Sequence, residues 1–187
     1  YVTTSGRWFM IERDVKFTTI IQIDVIEGKT FADIQTLRDI LIDNSDVKLS
    51  DEILSTRYED TYCPENEIVD EIIAEMKADF KAATGNDIYC TGYWGHIHEY
   101  NMSTNTHNHG EAYVSAVLYL SVPEGSGDLV FVPRLNPYSS SMYKSSFSPE
   151  ERCYYMFPGY LDHYVTRNKS KEKRVSISFN FKKLWKY

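Results

Sequence analysis

The sequence predicts a mostly β fold with flanking helices, a barrel or sandwich of strands backed by two N-terminal helices. Two stretches with helical spacing of apolar residues come first, and from residue 88 onward short β-branched and aromatic segments follow. A length of 187 residues suits a single domain. Residues 1–87 would then form the supporting part, an N-terminal strand and the helices, and residues 88–187 the β core.

The two helices are predicted from their apolar spacing and from their ends. The first covers Phe31–Asp43 with Thr30 as its N-cap, and the second covers Glu67–Thr84 and ends at Gly85. Before them, Trp8–Ile26 is rich in β-branched residues and predicts a strand. We expect both helices to pack against the sheet and the chemistry to lie elsewhere.

Six further strands are predicted after the second helix: Ile88–Tyr100, Ala112–Val122, Leu129–Pro133, Arg152–Phe157, His163–Arg167 and Lys173–Phe181. The glycine-containing stretch 124–128 predicts a hairpin turn. Residues 133–149, rich in serine and tyrosine, predict a long polar loop.

The composition argues against several classes of protein. A net charge of -7 opposes a nucleic-acid surface, which needs an excess of Lys and Arg. No run of about 18 apolar residues predicts a membrane span, and no signal-peptide pattern is visible. Three widely spaced cysteines, Cys63, Cys90 and Cys153, favour a reducing compartment. We therefore expect a cytoplasmic protein with no nucleic-acid or membrane partner, and the sequence leaves open whether it forms a homodimer.

The histidines are concentrated where a metal could bind. Four of the five lie between His96 and His109, and the fifth is His163. His107 and His109 are two residues apart and would project to one side if that stretch is extended. His163 would add a third imidazole from another strand, and imidazoles suit Fe, Zn, Cu and Ni. The pattern predicts a mononuclear metal site inside a β-barrel.

An arginine and an aromatic strand complete the candidate site. Arg174 comes eleven residues after His163 and opens a strand, where a guanidinium fork would hold an acidic co-substrate. Trp94, His96 and His98 alternate along one predicted strand and share a face. They either line the cavity or belong to the core, and His98 is favoured as a cavity residue because it is nearest to His107.

These blocks resemble the non-haem Fe(II)/2-oxoglutarate-dependent oxygenases, and within them a branch of small oxygenases with an H-x-H…H motif. The resemblance covers roughly Tyr93–Asn180, about half of the chain, and the order and spacing of its blocks agree throughout. The blocks are Trp94, His107–Gly110, Val114–Leu120, Gly127–Arg134, Phe157–Val165 and Arg174–Asn180.

The resemblance implies a double-stranded β-helix (jelly-roll) core and a role for each matching residue. His107 and His163 would bind Fe(II), and Arg174 would pair with the C5 carboxylate of 2-oxoglutarate beside Ser176. The hydroxyl of Tyr119, which has the parity of His107, would reach the same carboxylate. Apart from the resemblance, the place of His98 on the face shared with Trp94 and His96 predicts that it contacts the co-substrate. The implied reaction is a hydroxylation of an unidentified substrate that consumes O₂ and 2-oxoglutarate and releases succinate and CO₂.

The second metal ligand departs from the common pattern of the superfamily. His109 stands where His-x-Asp or His-x-Glu would place a carboxylate, and the resemblance to the small branch makes His109 a ligand. Glu111 offers a competing His-x-Glu pattern shifted by two residues. Three histidines also leave open two other functions, a cupin-like metal-binding protein without turnover and an O₂-using enzyme that does not require 2-oxoglutarate.

Overall fold

The computed structural model describes residues 2–4 and 7–9 by their backbone and residues 24–45, 60–132 and 144–185 in full. These residues contain two helices, Ile34–Asp43 (α1) and Glu67–Thr84 (α2). They also contain twelve strands, which are Val2–Thr4 (β1), Arg7–Phe9 (β2), Ile26–Lys29 (β3), Asp60–Thr61 (β4), Ile88–His98 (β5), Thr104–His107 (β6), Val114–Ser121 (β7), Leu129–Phe131 (β8), Ser145–Phe147 (β9), Cys153–Pro158 (β10), His163–Val165 (β11) and Arg174–Lys183 (β12).

Two antiparallel sheets form the core of the fold. The large sheet has six strands in the order β3-β10-β7-β12-β5-β4, and the small sheet has four in the order β6-β11-β8-β9. The two N-terminal strands pair only with each other in the described residues. The predicted mostly β fold with two helices is confirmed.

The central strands of the large sheet are buried on both faces, with alternate side chains in the hydrophobic core and at a cavity. On β12, Val175, Ile177 and Phe179 belong to the main hydrophobic cluster, which also contains the buried residues of the helices. The residues between them, Ser176 and Ser178, line a cavity on the opposite face. Successive side chains of a strand point to opposite sides, so one strand serves both the core and the cavity.

The helices cover the outer face of the large sheet. α1 buries Ile34, Leu37 and Leu41 at helical spacing, and α2 buries four residues in the same way. Each fully buried aliphatic side chain contributes about 1.5–3 kcal/mol to the free energy of unfolding. Within the described residues, neither helix is both long and apolar enough to cross a membrane.

The helix ends confirm one prediction and correct another. α2 has the predicted bounds, and Gly85 ends it with φ of 73°, a left-handed conformation that glycine adopts without a steric penalty. α1 begins at Ile34, three residues later than predicted. Asp33 is its N-cap, because its carboxylate accepts a hydrogen bond from the backbone N–H of Thr36 at 3.2 Å. The hydroxyl of Thr30 accepts instead from Ala32 N–H at 3.1 Å.

Four strands, β1, β4, β6 and β9, lie outside the segments predicted as strands, and β3 overlaps them only at Ile26. β4, β6 and β9 are short and mostly polar, so they lack the alternation that identifies a strand. β9 lies inside the stretch predicted as a long loop, where it pairs with β8. Residues 133–143 of that stretch, and residues 10–23 of the predicted first strand, lie outside the described residues.

Candidate metal centre and its cavity

Three imidazoles converge at one end of the cavity between the sheets. His107 is the last residue of β6, His163 is the first of β11, and the two are register partners across the small sheet. His109 lies two residues beyond β6. One ring nitrogen of each histidine can act as ligand, and these three atoms all lie within 4.8 Å of one another. We call these three histidines the metal end of the cavity.

Backbone carbonyls orient two of the rings. His107 Nδ1 lies 2.8 Å from the carbonyl oxygen of Asn105, and His163 Nδ1 lies 2.9 Å from that of Leu161. A carbonyl can only accept, so Nδ1 carries the proton in both rings and Nε2 has the lone pair that a metal needs. His163 Nε2 lies 3.3 Å from Nε2 of His109.

His109 reaches the site by a different route from the one predicted. The strand ends at His107, so His107 and His109 are not neighbours on one face of an extended segment. The backbone N–H of His109 donates to the carbonyl of Gly159 at 2.8 Å. Its ring stacks on Trp94, with ring centroids 5.6 Å apart and planes at 30°. These contacts bring His109 to the other two rings from a turn.

A side-chain hydrogen bond ties the two ligand-bearing segments together. Asn108 Nδ2 donates to Asp162 Oδ1 at 2.7 Å, and Gly110 N–H donates to Asn108 Oδ1 at 3.1 Å. Asn108 stands between two of the histidines and Asp162 precedes the third. The contact therefore fixes the distance between chain segments that are 54 residues apart.

Glu111, the alternative second ligand, lies apart from this cluster. Its side chain is exposed, and it does not line the cavity. The cluster of described residues that could hold a metal consists of the three histidines alone.

The opposite end of the cavity holds a buried arginine. Arg174 is 1% exposed, its Nη2 lies 3.3 Å from His98 Nδ1, and its Nη1 lies 3.5 Å from the carbonyl oxygen of Gly127. Its guanidinium carbon lies 5.8 Å from the centroid of the Tyr119 ring. We call Arg174 and Tyr119, together with His98 behind Arg174, the arginine end of the cavity.

The arginine end has polar atoms that remain unsatisfied. Among the described residues, neither Arg174 Nε nor the Tyr119 hydroxyl has a hydrogen-bond partner, although both are buried. Among the residues that the structure describes, no carboxylate forms an ion pair with Arg174. A buried cation without a counter-charge is unfavourable, so this end of the cavity suits an anionic ligand.

Burial determines the charge states at the arginine end. Desolvation, and then the charge of Arg174, lower the pKa of His98 to about 2, so its ring is neutral and can accept from the guanidinium. His98 Nε2 lies 2.8 Å from Thr104 Oγ1. Burial raises the pKa of Tyr119, which keeps its hydroxyl protonated as a donor. Arg174 is thus the one charged member of this group.

Most of the predicted site residues share this one cavity. Its lining includes His107, His109, His163, Arg174, Tyr119 and Ser176, and also His96. His98 does not line it but lies behind Arg174, and Trp94 lies behind His109. Asp162 accepts a hydrogen bond from Asn108.

Sequence reasoning missed three polar residues at the cavity. Ser178 and Thr104 line it, and Asp60 lies behind His96, 2.8 Å from its Nδ1. The parity of Ser178 with Arg174 and Ser176 could have identified the serine. Nothing in the polar stretch around Asp60 indicated that it joins the sheet.

Comparison with known proteins agrees with this geometry. Residues 92–180 match the sequence family described as "Putative 2OG-Fe(II) oxygenase". No curated protein matches the chain by sequence.

Several solved structures share the fold. A Pseudomonas putida prolyl-4-hydroxylase is 17% identical, with 86% of this chain and 93% of that chain covered and a TM-score of 0.59. HygX from Streptomyces hygroscopicus, with nickel and 2-oxoglutarate bound, is 11% identical over 85% of this chain and 82% of its own, with a TM-score of 0.63. The epimerase SnoN from nogalamycin biosynthesis is 16% identical over 63% of this chain, with a TM-score of 0.54, and the match spans 56% of its length. At these identities the likeness establishes the fold, a jelly-roll core as predicted.

Proposed function

We propose that this chain is an Fe(II)- and 2-oxoglutarate-dependent dioxygenase that hydroxylates an organic substrate. The match of residues 92–180 to the family described as "Putative 2OG-Fe(II) oxygenase" supports the proposal. His107, His109 and His163 would hold the metal, and Arg174 would hold the C5 carboxylate of 2-oxoglutarate. One observation carries the proposal: three converging imidazoles share a cavity with a buried arginine that has no carboxylate partner among the described residues.

The metal end fits Fe(II) by the chemistry of its donors. Three neutral imidazole nitrogens within 4.8 Å of one another can occupy three positions around one ion. The carbonyls at Nδ1 of His107 and His163 favour the tautomer that leaves Nε2 for the metal. Three protein ligands leave other coordination positions for small molecules.

The arginine end fits the far carboxylate of 2-oxoglutarate. The unsatisfied Arg174 Nε and Tyr119 hydroxyl are both donors, and a carboxylate accepts several hydrogen bonds at once. Ser176, two residues along β12, lines the same cavity and offers a further donor. Together these groups would replace the water that an anion loses on entering a buried site.

The metal and 2-oxoglutarate, when bound, supply the oxidising chemistry, in which O₂ is consumed, succinate and CO₂ are released and a C–H bond is hydroxylated. The chain's own residues bind, orient and shield. Arg174 and Tyr119 would fix the co-substrate at its far end, while Phe157 and Leu129 line the cavity with apolar surface that excludes water.

Anaerobic titration of the Fe(II)-loaded protein with 2-oxoglutarate tests this function. We expect a visible charge-transfer band, and on admission of O₂ we expect succinate to form. His163→Ala should abolish the band by losing the metal, and Arg174→Gln should require far more 2-oxoglutarate to produce it. Arg167→Gln, which changes an exposed arginine, is the matched control.

The same experiment separates the two other functions that three histidines allow. A metal-binding protein without turnover would bind Fe(II) and form no succinate. An O₂-using enzyme independent of 2-oxoglutarate would show no band with 2-oxoglutarate and would leave Arg174 without a ligand. Either result would overturn the proposal.

A further inference from the structure

A buried chain of hydrogen bonds links Arg174 to a threonine on the opposite sheet. Arg174 Nη2 lies 3.3 Å from His98 Nδ1, and His98 Nε2 lies 2.8 Å from Thr104 Oγ1. All three residues are buried. Arg174 and His98 are register partners in the large sheet, whereas Thr104 is the first residue of β6 in the small sheet. The chain therefore crosses the space between the two sheets at the arginine end of the cavity.

The donors and acceptors fix the direction of this chain. A guanidinium has only N–H donors, so Nδ1 of His98 accepts from Arg174 and carries no proton. Burial, and then the charge of Arg174, lower the pKa of His98 to about 2, so its ring is neutral and holds its one proton on Nε2. Nε2–H then donates to Thr104 Oγ1. The tautomer thus follows from a partner that can only donate.

The hydroxyl proton of Thr104 is left for another acceptor. Thr104 Oγ1 accepts from His98, and among the described residues this is the only hydrogen bond of the hydroxyl. Thr104 lines the cavity, where Arg174 Nε and the Tyr119 hydroxyl also lack acceptors in the described part of the chain. A buried donor without an acceptor is unfavourable. All three donors therefore favour the same kind of ligand, an anion that only accepts.

The register of the small sheet places Thr104 away from the metal end. Its partner on β11 is Val165, which pairs with Leu129 of β8, and all three residues line the cavity. His107 and His163 form a separate pair in the same sheet. Thr104 and His107 are about 10 Å apart along β6 at a rise of about 3.3 Å per residue. A group bound by the threonine hydroxyl therefore lies where the far carboxylate of 2-oxoglutarate is expected.

We propose that Thr104 donates a hydrogen bond to the carboxylate that Arg174 binds, and that His98 is a positioning residue that directs the threonine proton toward it. The inference rests on the proposed function, because that carboxylate is the C5 carboxylate of 2-oxoglutarate. It gives His98 a role in co-substrate binding, although its ring lies behind Arg174 and does not line the cavity. Donors from both sheets would then select for a far carboxylate.

Two keto acids with the same metal-binding end and different far ends test this assignment. 2-Oxopentanoate has a methyl group in place of the C5 carboxylate, so only 2-oxoglutarate can accept from Thr104. The charge-transfer band of the Fe(II)-loaded protein, titrated without O₂, gives the affinity for each. Thr104→Val keeps the shape of the side chain and removes the hydroxyl. It should lower the affinity for 2-oxoglutarate about tenfold or more, as expected for a lost hydrogen bond to a charged group, and leave that for 2-oxopentanoate unchanged.

Thr104→Ser and Thr106→Val are the matched controls. Thr104→Ser keeps the hydroxyl and should retain most of the affinity for 2-oxoglutarate. Thr106 is exposed on the same strand and does not line the cavity, so Thr106→Val should bind both keto acids like the wild type. Wild-type affinity in Thr104→Val, or an equal loss for both keto acids, would overturn the inference and leave the proposed function intact. If the wild type forms no band with 2-oxoglutarate, the proposed function fails and the inference fails with it.

A double variant separates a direct hydrogen bond from support of Arg174. His98→Leu removes both hydrogen bonds of the ring. If Thr104 acted only by holding His98 against Arg174, Thr104→Val would cause no further loss of 2-oxoglutarate affinity in the His98→Leu protein. A hydroxyl that donates to the carboxylate still contributes there, so we expect a further loss. Its absence would exclude Thr104 as a donor to the ligand.

His98→Gln tests the positioning role. Its amide oxygen can accept from Arg174 and its amide N–H can donate to Thr104, so the direction of the chain is preserved. His98→Gln should therefore bind 2-oxoglutarate more tightly than His98→Leu, while the two bind 2-oxopentanoate alike. Equal affinities of the two variants for 2-oxoglutarate would exclude His98 as a positioning residue.

Discussion

The metal end and the arginine end of the cavity are built in different ways. The histidines lie at strand ends and in a turn, two of them are half-buried, and local hydrogen bonds orient them. Arg174 is fully buried at the start of a strand that pairs on both sides, with His98 of β5 as its register partner. Metal binding should thus respond to changes in loops, whereas co-substrate binding should depend on the sheet.

The largest effect should come from removing a metal ligand. His163→Ala should lower metal affinity by more than about a hundredfold, because even residues that only orient a ligand contribute roughly 10–100-fold. Isothermal titration with Fe(II) or Co(II) under anaerobic conditions measures this change. Glu111→Gln is the matched control and should bind metal normally. Loss of metal in Glu111→Gln would instead favour the shifted His-x-Glu ligand pair.

The arginine end should fail separately from the metal end. Arg174→Gln should weaken 2-oxoglutarate binding by about 30-fold or more, since removing one partner of a buried charge pair costs at least about 2 kcal/mol. Metal affinity should stay unchanged, because the guanidinium of Arg174 lies beside His98 and Gly127, at the other end of the cavity. Titration of the metal-loaded variant with 2-oxoglutarate measures both. A parallel loss of metal would mean that the two ends are not independent.

The contact between Asn108 and Asp162 should matter for the metal alone. Asp162→Ala removes the 2.7 Å hydrogen bond between the ligand-bearing segments and should lower metal affinity about tenfold. Asp162→Asn can still accept from Asn108 and should retain most of the affinity. Metal titration of the two variants is decisive, and equal affinities in Asp162→Ala and the wild type would show that the turn is held by other contacts.

Buried His98 should make stability depend on pH. Its folded-state pKa of about 2 lies below the ordinary value of 6.5, so below pH 6.5 the unfolded chain takes up a proton that the folded chain does not. Its contribution is present above pH 6.5 and is lost by up to about 1.4 kcal/mol per pH unit as the pH falls. Denaturant unfolding of the metal-free protein at pH 7.5 and pH 5 should show a smaller difference in His98→Gln. An identical difference would contradict the neutral state of His98.

The smallest effect should come from the unsatisfied tyrosine hydroxyl. Tyr119→Phe should weaken 2-oxoglutarate binding by about tenfold, the lower end of the effect of one hydrogen bond to a charged group, because Arg174 still holds the carboxylate, and should leave metal binding unchanged. Tyr155→Phe, a buried neighbour whose ring centroid lies 6.0 Å from that of Tyr119, is the control because it does not line the cavity. If the two variants bind alike, the Tyr119 hydroxyl does not reach the co-substrate.

Periodicity located the regular elements well. α2 was predicted to the residue because apolar spacing and a C-terminal glycine agree, and the long strands β5, β7 and β12 lie where apolar and polar residues alternate. The short strands β4, β6 and β9 were missed because their residues do not alternate between apolar and polar. They form by pairing with a neighbouring strand, which a local sequence pattern does not show.

For the site, the sequence was informative where residues share one strand. Parity on β12 places Ser176 on the side of Arg174, and it could have placed Ser178 there as well. His109 was expected beside His107 on an extended segment, but it reaches the cluster from a turn through its hydrogen bond to Gly159. Asp60 is 36 residues from His96 in sequence, and no local signal links them.

The sequence alone determined which side chains could do chemistry here: three imidazoles, one guanidinium and their spacing along β-rich segments. The tertiary structure decided that these groups face a single cavity, that Arg174 is buried with its Nε still unsatisfied, and that Asp60 lies beside His96. Local patterns encode strand parity and helix ends. Register between strands far apart in sequence is fixed only when the sheets pack and bury their shared core.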